Sequence, residues 1–546
     1  MKNVAPLTPE EIATVDTITA TGNMYQYSKV MLGGLLGVSR AAGGGCFGQP
    51  ARSYATNDNR IVRFPIFLSG AENVTPSLSP PVGHSVRRSR IAKIPVAATL
   101  CALLASASLV VTWEVPAGAN PQGGQSAPAR ASANWPQWRG PTGNGVAPHS
   151  DAPLRFSASE GVKWKVEIPG RGFSSPIVWD DLVFVTTAVA TAEETRSVDR
   201  PRRRQSRLVP HDFRLIALRR DNGEVAWSQT AIIAMPHEGY HRTLSSYANP
   251  SPVTDGERVY AFFGSRGLYA FDLDGEAVWA RDFGVEMETF GHFGEASSPA
   301  LFGNTIVVVF DHQGESFIEA LDTRNGATRW RRSRDEDTSW SSPYIVEYDG
   351  AIFVVTSAGN YITAYDLHSG QIEWRSTGLT PGPIPTPVAG GGLLFVASGS
   401  RERRVRAIDL SRTGAVGGEA IAWELPRAAP YNPSPLLWGD ELYLVRDGGM
   451  NVGTSRLSLI DARTGEARYL QERLPAAYTI KASPVGAGNK VYLLTQEGDV
   501  LVLRRGAPLE VLAINPMGEQ FVASPAVAHG ELFLRSRHHL FCISGR

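Results

Sequence analysis

The chain has 546 residues, of which 42% are hydrophobic, and its 53 basic and 53 acidic residues give a formal net charge of zero. This balance does not favour nucleic acid or an anionic membrane as the main partner. The three cysteines, Cys46, Cys101 and Cys542, cannot build a disulfide framework, a zinc cluster or a Cys-x-x-Cys site.

Residues 1–86 show no sustained hydrophobic periodicity and are rich in Gly, Ser, Pro and Ala, which predicts disorder. A basic cluster at 87–93 is followed by an uncharged apolar run at 94–111 and by a small-x-small site at 117–119. Basic, apolar and cleavage regions in this order are the layout of a secretory signal peptide, so residues 87–119 predict export. The alternative is that the apolar run remains as a membrane-spanning anchor, since its length is near the lower limit for one.

A signal peptide belongs at an N-terminus, yet this one begins near residue 87. We therefore expect that the first ~85 residues are not part of the natural product and that translation begins close to Val86. The alternative is a disordered cytoplasmic tail that precedes an anchor. N-terminal sequencing of the natural protein distinguishes the two.

A polar linker at 120–133 leads into a region of repeats at 134–546. There, a Ser-Pro or Thr-Pro pair followed by an apolar run recurs eight times, at intervals of 41–49 residues except for one of 76. The wide interval comes mainly from an insertion at 188–212 and a long connection at 231–248. The missing N–H of proline is tolerated at the first residue of a strand, so each pair predicts a strand start. The pairs are Ser175-Pro176, Ser251-Pro252, Ser298-Pro299, Ser342-Pro343, Thr386-Pro387, Ser434-Pro435, Ser483-Pro484 and Ser524-Pro525.

The most regular unit, 338–378, shows the pattern of one repeat. Its apolar runs at 343–348, 351–356, 361–366 and 371–375 are separated by turns and predict four antiparallel strands. An Ala-x-Asp tripeptide ends the third strand, and in five units a Gly with a Trp about four residues later marks the fourth. A Trp side chain buries roughly 150–250 Å², so its recurrence predicts a wedge between neighbouring sheets.

The last unit has only three predicted strands, at 526–528, 531–535 and 539–543, and lacks the Gly and Trp positions. A spare copy of the missing strand, 161–167 with Trp164, precedes the first unit. Pairing of the two ends closes a ring and removes an exposed sheet edge. The sequence therefore predicts an all-β fold, an eight-bladed β-propeller of four-stranded antiparallel blades whose last blade is closed by an N-terminal strand.

The Ser-Pro, Ala-x-Asp and Trp positions resemble the pyrroloquinoline-quinone (PQQ) type of propeller repeat. The segments 135–141, WPQWRGP, and 384–387, IPTP, resemble a secreted bacterial family of PQQ-binding-like propeller proteins. The resemblance covers 134–546. It implies kinship with non-enzymatic scaffolds, such as the propeller lipoprotein of the outer-membrane β-barrel assembly machine, and more distantly with quinoprotein dehydrogenases.

The resemblance also implies what an enzyme of this group needs, namely a disulfide between adjacent cysteines beside PQQ and a Ca²⁺ held by acidic and Asn side chains. The region 134–546 has one cysteine, Cys542, and no segment of it matches the metal ligands. We therefore expect no cofactor and no catalytic residue. The expected function is that of an exported, monomeric propeller, periplasmic or at the cell surface, that serves as a binding or assembly scaffold in the cell envelope. The alternative is a PQQ- and Ca²⁺-dependent oxidoreductase with a divergent site.

Ligands of propellers often bind at one end of the central channel, where the segments that enter the inner strands meet the loops between the second and third strands. Here those segments carry acids, bases, amides and aromatics that suit a polar or peptide ligand. The alternative is that they pair with one another or lie at a solvated rim. The candidates are His241, Asn249, Glu295, Asp311, Trp340, Tyr431, Asn432, Asp447, Lys481 and Arg535.

Two other sequence patterns have a simple structural interpretation as well as a functional one. Residues 237–241 read His-Glu-x-x-His, which on a helix binds Zn²⁺. Gly239 weakens a helix, and Ser251-Pro252 soon begins the next strand, so His237 and His241 are weak metal candidates and we expect no metal. Six arginines between 196 and 207 predict a basic loop that either contacts lipopolysaccharide, an acidic polysaccharide or a partner, or is a solvated, flexible loop.

Overall fold

A computed structural model of the protein describes residues 133–192, 208–412, 420–449 and 451–545. The predicted disorder at 1–86, the signal peptide or anchor at 87–119, nearly all of the linker at 120–133 and the arginines between 196 and 207 lie outside the described residues. In the part that is described, eight sheets surround a central channel and are numbered below as blades in chain order.

The first four blades are continuous in sequence. Blade 1 contains β3 (Ile177–Trp179), β4 (Leu182–Ala190), β5 (His211–Arg219) and β6 (Val225–Ala234). Blade 2 contains β7 (Val253–Thr254), β8 (Arg258–Phe262), β9 (Leu268–Asp272) and β10 (Ala277–Arg281). Blade 3 contains β11 (Ala300–Phe302), β12 (Thr305–Phe310), β13 (Phe317–Asp322) and β14 (Thr328–Ser333). Blade 4 contains β15 (Tyr344–Tyr348), β16 (Ala351–Ser357), β17 (Tyr361–Asp366) and β18 (Ile372–Thr377).

The other four blades include the two strands from before blade 1. Blade 5 contains β19 (Val388–Gly390), β20 (Leu393–Ser398), β21 (Arg404–Asp409) and β22 (Ile421–Pro426). Blade 6 contains β23 (Leu436–Trp438), β24 (Glu441–Arg446), β25 (Arg456–Asp461) and β26 (Ala467–Arg473). Blade 7 contains β27 (Val485–Ala487), β28 (Lys490–Leu494), β29 (Asp499–Arg504) and β30 (Val511–Pro516), with β1 (Val146–Ala147) added parallel to β27. Blade 8 contains β31 (Ala526–Ala528), β32 (Glu531–Arg535), β33 (His539–Ser544) and β2 (Val162–Glu167).

The predicted eight-bladed, all-β propeller is confirmed, including its closure. Strand β2 pairs antiparallel with β33, with Val162 opposite Ile543 and Glu167 opposite His539. Second and third strands such as β12 and β13 are buried along their whole length, because each blade is covered by neighbours on both faces. Fourth strands such as β22 alternate between half-buried and exposed residues, since they form the outer edge.

The recurring tryptophans lie between blades, as their spacing predicts. The Trp279 indole N–H of blade 2 donates to the Thr323 carbonyl of blade 3 over 2.8 Å, and the ring lies against Gly326. The same arrangement joins Trp164 of the closing strand to blade 1, where its indole N–H donates to Arg220 O over 2.9 Å. Five of these tryptophans therefore need a glycine in the next blade, because a side chain there would overlap the indole ring: Trp164, Trp227, Trp279, Trp330 and Trp423.

Both ends of the insertion predicted at 188–212 belong to strands of blade 1. Strands β4 and β5 continue their antiparallel pairing as far as Ala190 opposite His211, inside the predicted insertion. Strand β6 likewise runs to Ala234, inside the predicted connection at 231–248. The strands of blade 1 thus extend into both the predicted insertion and the predicted connection. The sequence did not indicate this because the extended hairpin of blade 1 has no counterpart in the other repeats.

The described residues include short 3₁₀ turns at Gly264–Arg266, Phe290–His292 and Leu410–Arg412. Across the described ranges, no helix has the length and apolar character needed to cross a bilayer. The apolar run at 94–111 lies outside those ranges.

Candidate functional site

The Ser-Pro and Thr-Pro pairs converge on the channel, where each precedes the inner strand of its blade. The backbone N–H of each Ser or Thr donates to the hydroxyl oxygen of its counterpart in the next blade, over 2.9–3.3 Å. The bond from the Ser524 N–H to Ser175 Oγ closes the circle. We call these eight residues the hydroxyl ring: Ser175, Ser251, Ser298, Ser342, Thr386, Ser434, Ser483 and Ser524. All are at most 5% exposed.

Residues 135–150, which we call the floor segment, close the channel on one side of this ring. Their backbone groups pair with Val178, Thr254, Leu437 and Gly486 of four different inner strands, over 2.9–3.3 Å. Each of these partners lies three residues beyond a member of the hydroxyl ring, so the floor segment crosses the channel at one level. The cavity above the ring is therefore blind at this end.

Two side chains of the floor segment point at the ring. The Trp138 indole N–H donates to Thr386 Oγ1 over 3.2 Å. The buried Arg139 guanidinium donates to Pro484 O over 2.6 Å and to Pro435 O, and its burial lowers its pKa to about 9. Sequence reasoning used these residues only as family markers and missed their position, because nothing in 134–153 repeats.

Above the hydroxyl ring lies a cavity of about 200 Å³. Phe293, which is 40% exposed, lies at the mouth of the cavity, and Trp138 lies at its base. Aromatic side chains make up much of the wall, and the polar groups between them are amides, an imidazole, an ammonium and a hydroxyl. The aromatic residues are Trp138, Phe173, Phe293, Trp340 and Tyr431, and the polar ones are His241, Ser245, Asn249, Asn432 and Lys481, besides the ring itself.

Six of the ten predicted site residues line this cavity, although their role in ligand binding stays a prediction. They are His241, Asn249, Trp340, Tyr431, Asn432 and Lys481. His241 lies edge-on to Phe293, with ring centroids 5.4 Å apart. Burial, and secondarily the charge of Lys481, lowers the His241 pKa, so its imidazole is neutral at pH 7.

Asp447 lies behind the cavity wall and holds two of its members in place. Its carboxylate accepts from the Lys481 ammonium over 2.8 Å and from the Tyr431 backbone N–H over 3.0 Å. The same ammonium donates to Asn432 Oδ1 and to Gly449 O. Lys481 thereby uses three donors within the protein, and its charge is balanced by a buried partner.

The three other predicted residues are also placed behind the wall. Asp311 pairs with Arg334 over 2.6 Å, and both side chains are 1% exposed. Glu295 accepts from the Ser265 hydroxyl and backbone N–H, at 2.5 and 2.7 Å. Arg535 donates to the Ser174 carbonyl over 3.1 Å. Buried charges need a partner or hydrogen bonds, and these residues find theirs within the fold.

The His-Glu-x-x-His run is not helical, and its two histidines serve different places. His237 Nε2 is 2.8 Å from Met287 O, while His241 lines the cavity. The Glu238 carboxylate between them accepts from the Thr289 hydroxyl over 2.5 Å. Among the described residues, no cluster of three or more His, Cys, Asp or Glu side chains has the geometry of a metal site.

The residues around the cavity do not fit a PQQ–Ca²⁺ centre. Calcium takes several carboxylate or carbonyl oxygens, whereas no Asp or Glu belongs to the described lining of the cavity. The nearby acids Asp311 and Asp447 are committed to Arg334 and Lys481. The donor set thus consists of hydroxyls, amides and cations.

Comparison with known proteins identifies relatives of the propeller region. A family model described as "Outer membrane protein assembly factor BamB" matches residues 155–376 and 314–546. Curated proteins of that name from Shewanella oneidensis and Escherichia coli K12 are 26% and 23% identical, over 42% and 40% of this chain and 60% and 53% of their own length. The chain thus spans about half the length of the curated relatives it matches.

Solved structures with the same fold include two dehydrogenases. Quinohemoprotein alcohol dehydrogenase from Comamonas testosteroni is 12% identical, with a TM-score of 0.51 over 76% of this chain and 81% of that one. A europium-containing methanol dehydrogenase is 9% identical, with a TM-score of 0.51 over 76% of this chain and 99% of that one. At these identities the likeness shows the fold alone.

Proposed function

Because the chain belongs to the family described as outer membrane protein assembly factor BamB, we propose that it is a non-catalytic propeller scaffold in outer membrane protein assembly. In this role it is exported, acts in the periplasm or at the cell surface, and binds other envelope proteins. The observation that carries the proposal is the family match, which extends over 155–546 and so includes every blade and the closing strand.

The geometry around the channel supports a scaffold over an enzyme. The acids that a catalyst would use as bases or metal ligands are placed in buried pairs, as Asp311 is with Arg334 and Asp447 with Lys481. A carboxylate in such a pair is not available for proton transfer while the pair is formed. The exposed surface of the blades is then the part available for partners.

The role is tested in the organism that encodes the protein. A chromosomally tagged full chain is fractionated, crosslinked in intact cells and analysed by mass spectrometry, with an unrelated exported protein carrying the same tag as control. We expect the tagged chain in the envelope fraction, crosslinked to outer membrane assembly proteins. Recovery in the cytoplasm, or crosslinks no different from the control's, contradicts the proposed role.

The oxidoreductase alternative is tested separately on the purified full chain. PQQ and Ca²⁺ are added, unbound cofactor is removed by gel filtration, and dye-linked alcohol oxidation is measured. We expect no retained PQQ absorbance and no activity, because the described lining of the cavity contains no carboxylate to hold Ca²⁺. Retained absorbance together with alcohol oxidation contradicts the non-catalytic role.

A further inference from the structure

The hydroxyl ring presents O–H donors that the protein itself does not use. Each ring oxygen accepts a backbone N–H, yet within the described part of the chain none of the eight hydroxyls donates to a protein acceptor. A Ser or Thr hydroxyl has one donor besides its acceptor sites, and a buried donor without a partner is unfavourable. All eight residues border the cavity. A ligand that suits them carries several acceptor oxygens close together.

Positive charge near the ring is not fully balanced. Arg535 donates to Ser174, next to ring member Ser175, and Arg139 donates to Pro484, next to ring member Ser483. Neither guanidinium bonds a carboxylate among the described residues, and both are at most 2% exposed. Lys481, the one Lys or Arg in the described lining of the cavity, is paired with Asp447. The two guanidiniums, one behind the wall and one in the floor segment, therefore leave a positive surplus near the ring. A low-dielectric site of this sign favours an anion.

The upper wall and the size of the cavity restrict the rest of the ligand. Trp340 and Phe293 lie side by side there, with ring centroids 6.3 Å apart. Aromatic faces of this kind take flat apolar groups. The volume of about 200 Å³ is below the roughly 300–1,000 Å³ of sites for drug-sized ligands. Trp138 closes the base, so a long chain cannot pass through.

We propose that the cavity binds a small organic oxyanion, a carboxylate or a phosphate monoester, whose oxygens accept hydrogen bonds from the hydroxyl ring and whose flat apolar part lies against Trp340 and Phe293. This binding site does not depend on the envelope role proposed above. It gives the propeller a small-molecule ligand on its axis, while the blade surfaces remain available for proteins.

The first test is titration calorimetry on the purified full chain, with quenching of tryptophan fluorescence as a second readout because Trp138 and Trp340 line the cavity. Benzoate and phenyl phosphate represent the two oxyanions, benzamide is the neutral isostere, and inorganic phosphate lacks the apolar part. We expect at least one of the two aromatic anions to bind about tenfold or more tightly than benzamide, as loss of a charged hydrogen bond implies. Inorganic phosphate should also bind about tenfold or more weakly, because it lacks the apolar group that contacts Trp340 and Phe293. The tighter of the two anions identifies the oxyanion class.

The second test compares two matched serine variants. Ser434 and Ser455 are both buried and both accept a backbone N–H over 2.9 Å, but only Ser434 belongs to the ring. We expect Ser434→Ala to weaken binding of the preferred anion by about fivefold to tenfold, the effect of one lost hydrogen bond, and Ser455→Ala to leave it unchanged. Trp340→Leu should weaken binding as well, with an unchanged preference for anion over amide.

Three results overturn the proposal: benzamide binding as tightly as the anions, no binding of either aromatic anion at millimolar concentration, or equal effects of the two serine substitutions. Each variant is first checked by circular dichroism and thermal unfolding. If Ser434→Ala does not fold, Ser483→Ala gives the same comparison, since Ser483 is the ring member that accepts the Ser434 N–H over 2.9 Å.

Discussion

The Trp279 indole of blade 2 packs directly on Gly326 of blade 3, where an added Cβ would lie 2.7 Å from the ring. Gly326 also has a φ of +68°, in the left-handed region. Substitution Gly326→Ala therefore adds backbone strain of about 1–2 kcal/mol to a steric overlap of about 1–3 kcal/mol. We expect its urea midpoint to fall by an amount equivalent to about 2–5 kcal/mol.

A matched control separates the backbone strain from the steric overlap. Gly350 has a φ of +75°, but nothing lies within 4 Å of its Cβ position. Substitution Gly350→Ala thus introduces the strain without the overlap and should cost only about 1–2 kcal/mol. Equal losses in the two variants would show that the Trp279 contact does not require a glycine.

The buried pair of Asp311 and Arg334 predicts a large loss of stability when one partner is removed. Burial alone lowers the Arg334 pKa, but the Asp311 carboxylate outweighs this and raises it above its ordinary value. Substitution Asp311→Asn leaves the guanidinium buried without its counter-charge, which costs about 3–5 kcal/mol. Urea unfolding of the purified variant measures this.

Two comparisons accompany that measurement. The double substitution Asp311→Leu with Arg334→Met removes both charges and should recover much of the loss. Substitution Glu510→Gln breaks an exposed pair with Arg504 and should change unfolding little. If Asp311→Asn unfolds like the wild type and still binds the oxyanion, Asp311 has neither the structural role nor a role in the cavity.

Glu336 makes stability depend on pH. Its carboxyl accepts backbone N–H groups of Asn360 and Tyr361 over 2.8 and 2.9 Å, yet burial raises its pKa to about 7. The folded state then keeps a proton that the unfolded state loses near pH 4.3. The stabilisation is fully present below that pH and decreases as pH rises towards 7, by on the order of 2–3 kcal/mol.

The isosteric Glu336→Gln substitution removes this titration. We expect urea unfolding at pH 5, 6, 7 and 8 to show a smaller decrease for the variant than for the wild type. Glu295, whose pKa burial also raises to about 7, accounts for a remaining slope of the same sign. Parallel curves for wild type and variant would contradict the assignment to Glu336.

The sequence was sufficient for the architecture because its signals are local and repeated. In blade 4 the predicted strands differ from the observed ones by at most two residues at any end. The closing strand was predictable because Trp164 marks it as a displaced copy of the outer strand. The extended hairpin of blade 1 was not, since β4 and β5 have no counterpart elsewhere.

The site was predictable only in part. Position in the repeat is enough to place His241, Asn249 and Trp340 at the channel end. It does not show whether a charged side chain faces the cavity or pairs with an opposite charge behind the cavity wall. Asp447 and Lys481 belong to different blades, so their pairing depends on the three-dimensional ring. The hydroxyl ring could have been predicted from the sequence. Every repeat has Ser or Thr before its Pro, and since the strand start accounts only for the Pro, the recurring hydroxyl indicates a second role.

Because β2 closes the ring by pairing with β33, the reactivity of Cys542 on β33 reports on this closure. This residue is buried opposite Trp164 in the β2–β33 pair, and burial raises the pKa of its thiol above the ordinary value. Its reaction with a maleimide should therefore be slow in the native protein. Substitution Trp164→Ala removes the indole contact with Gly223 and the bond to Arg220 O, so β2 should separate from β33 more often and labelling should accelerate.

Trp227→Ala is the matched control, because Trp227 makes the same contact between blades 1 and 2 and donates to Leu273 O over 2.9 Å. Both substitutions should lower global stability by about 3–5 kcal/mol. Labelling is followed in the full chain by mass spectrometry of the peptide that contains Cys542, in the absence of denaturant. Only Trp164→Ala should label faster than its global unfolding allows. Equal acceleration in both variants would mean that the propeller opens as one unit and that the joint between its two ends is no weaker than the other blade interfaces.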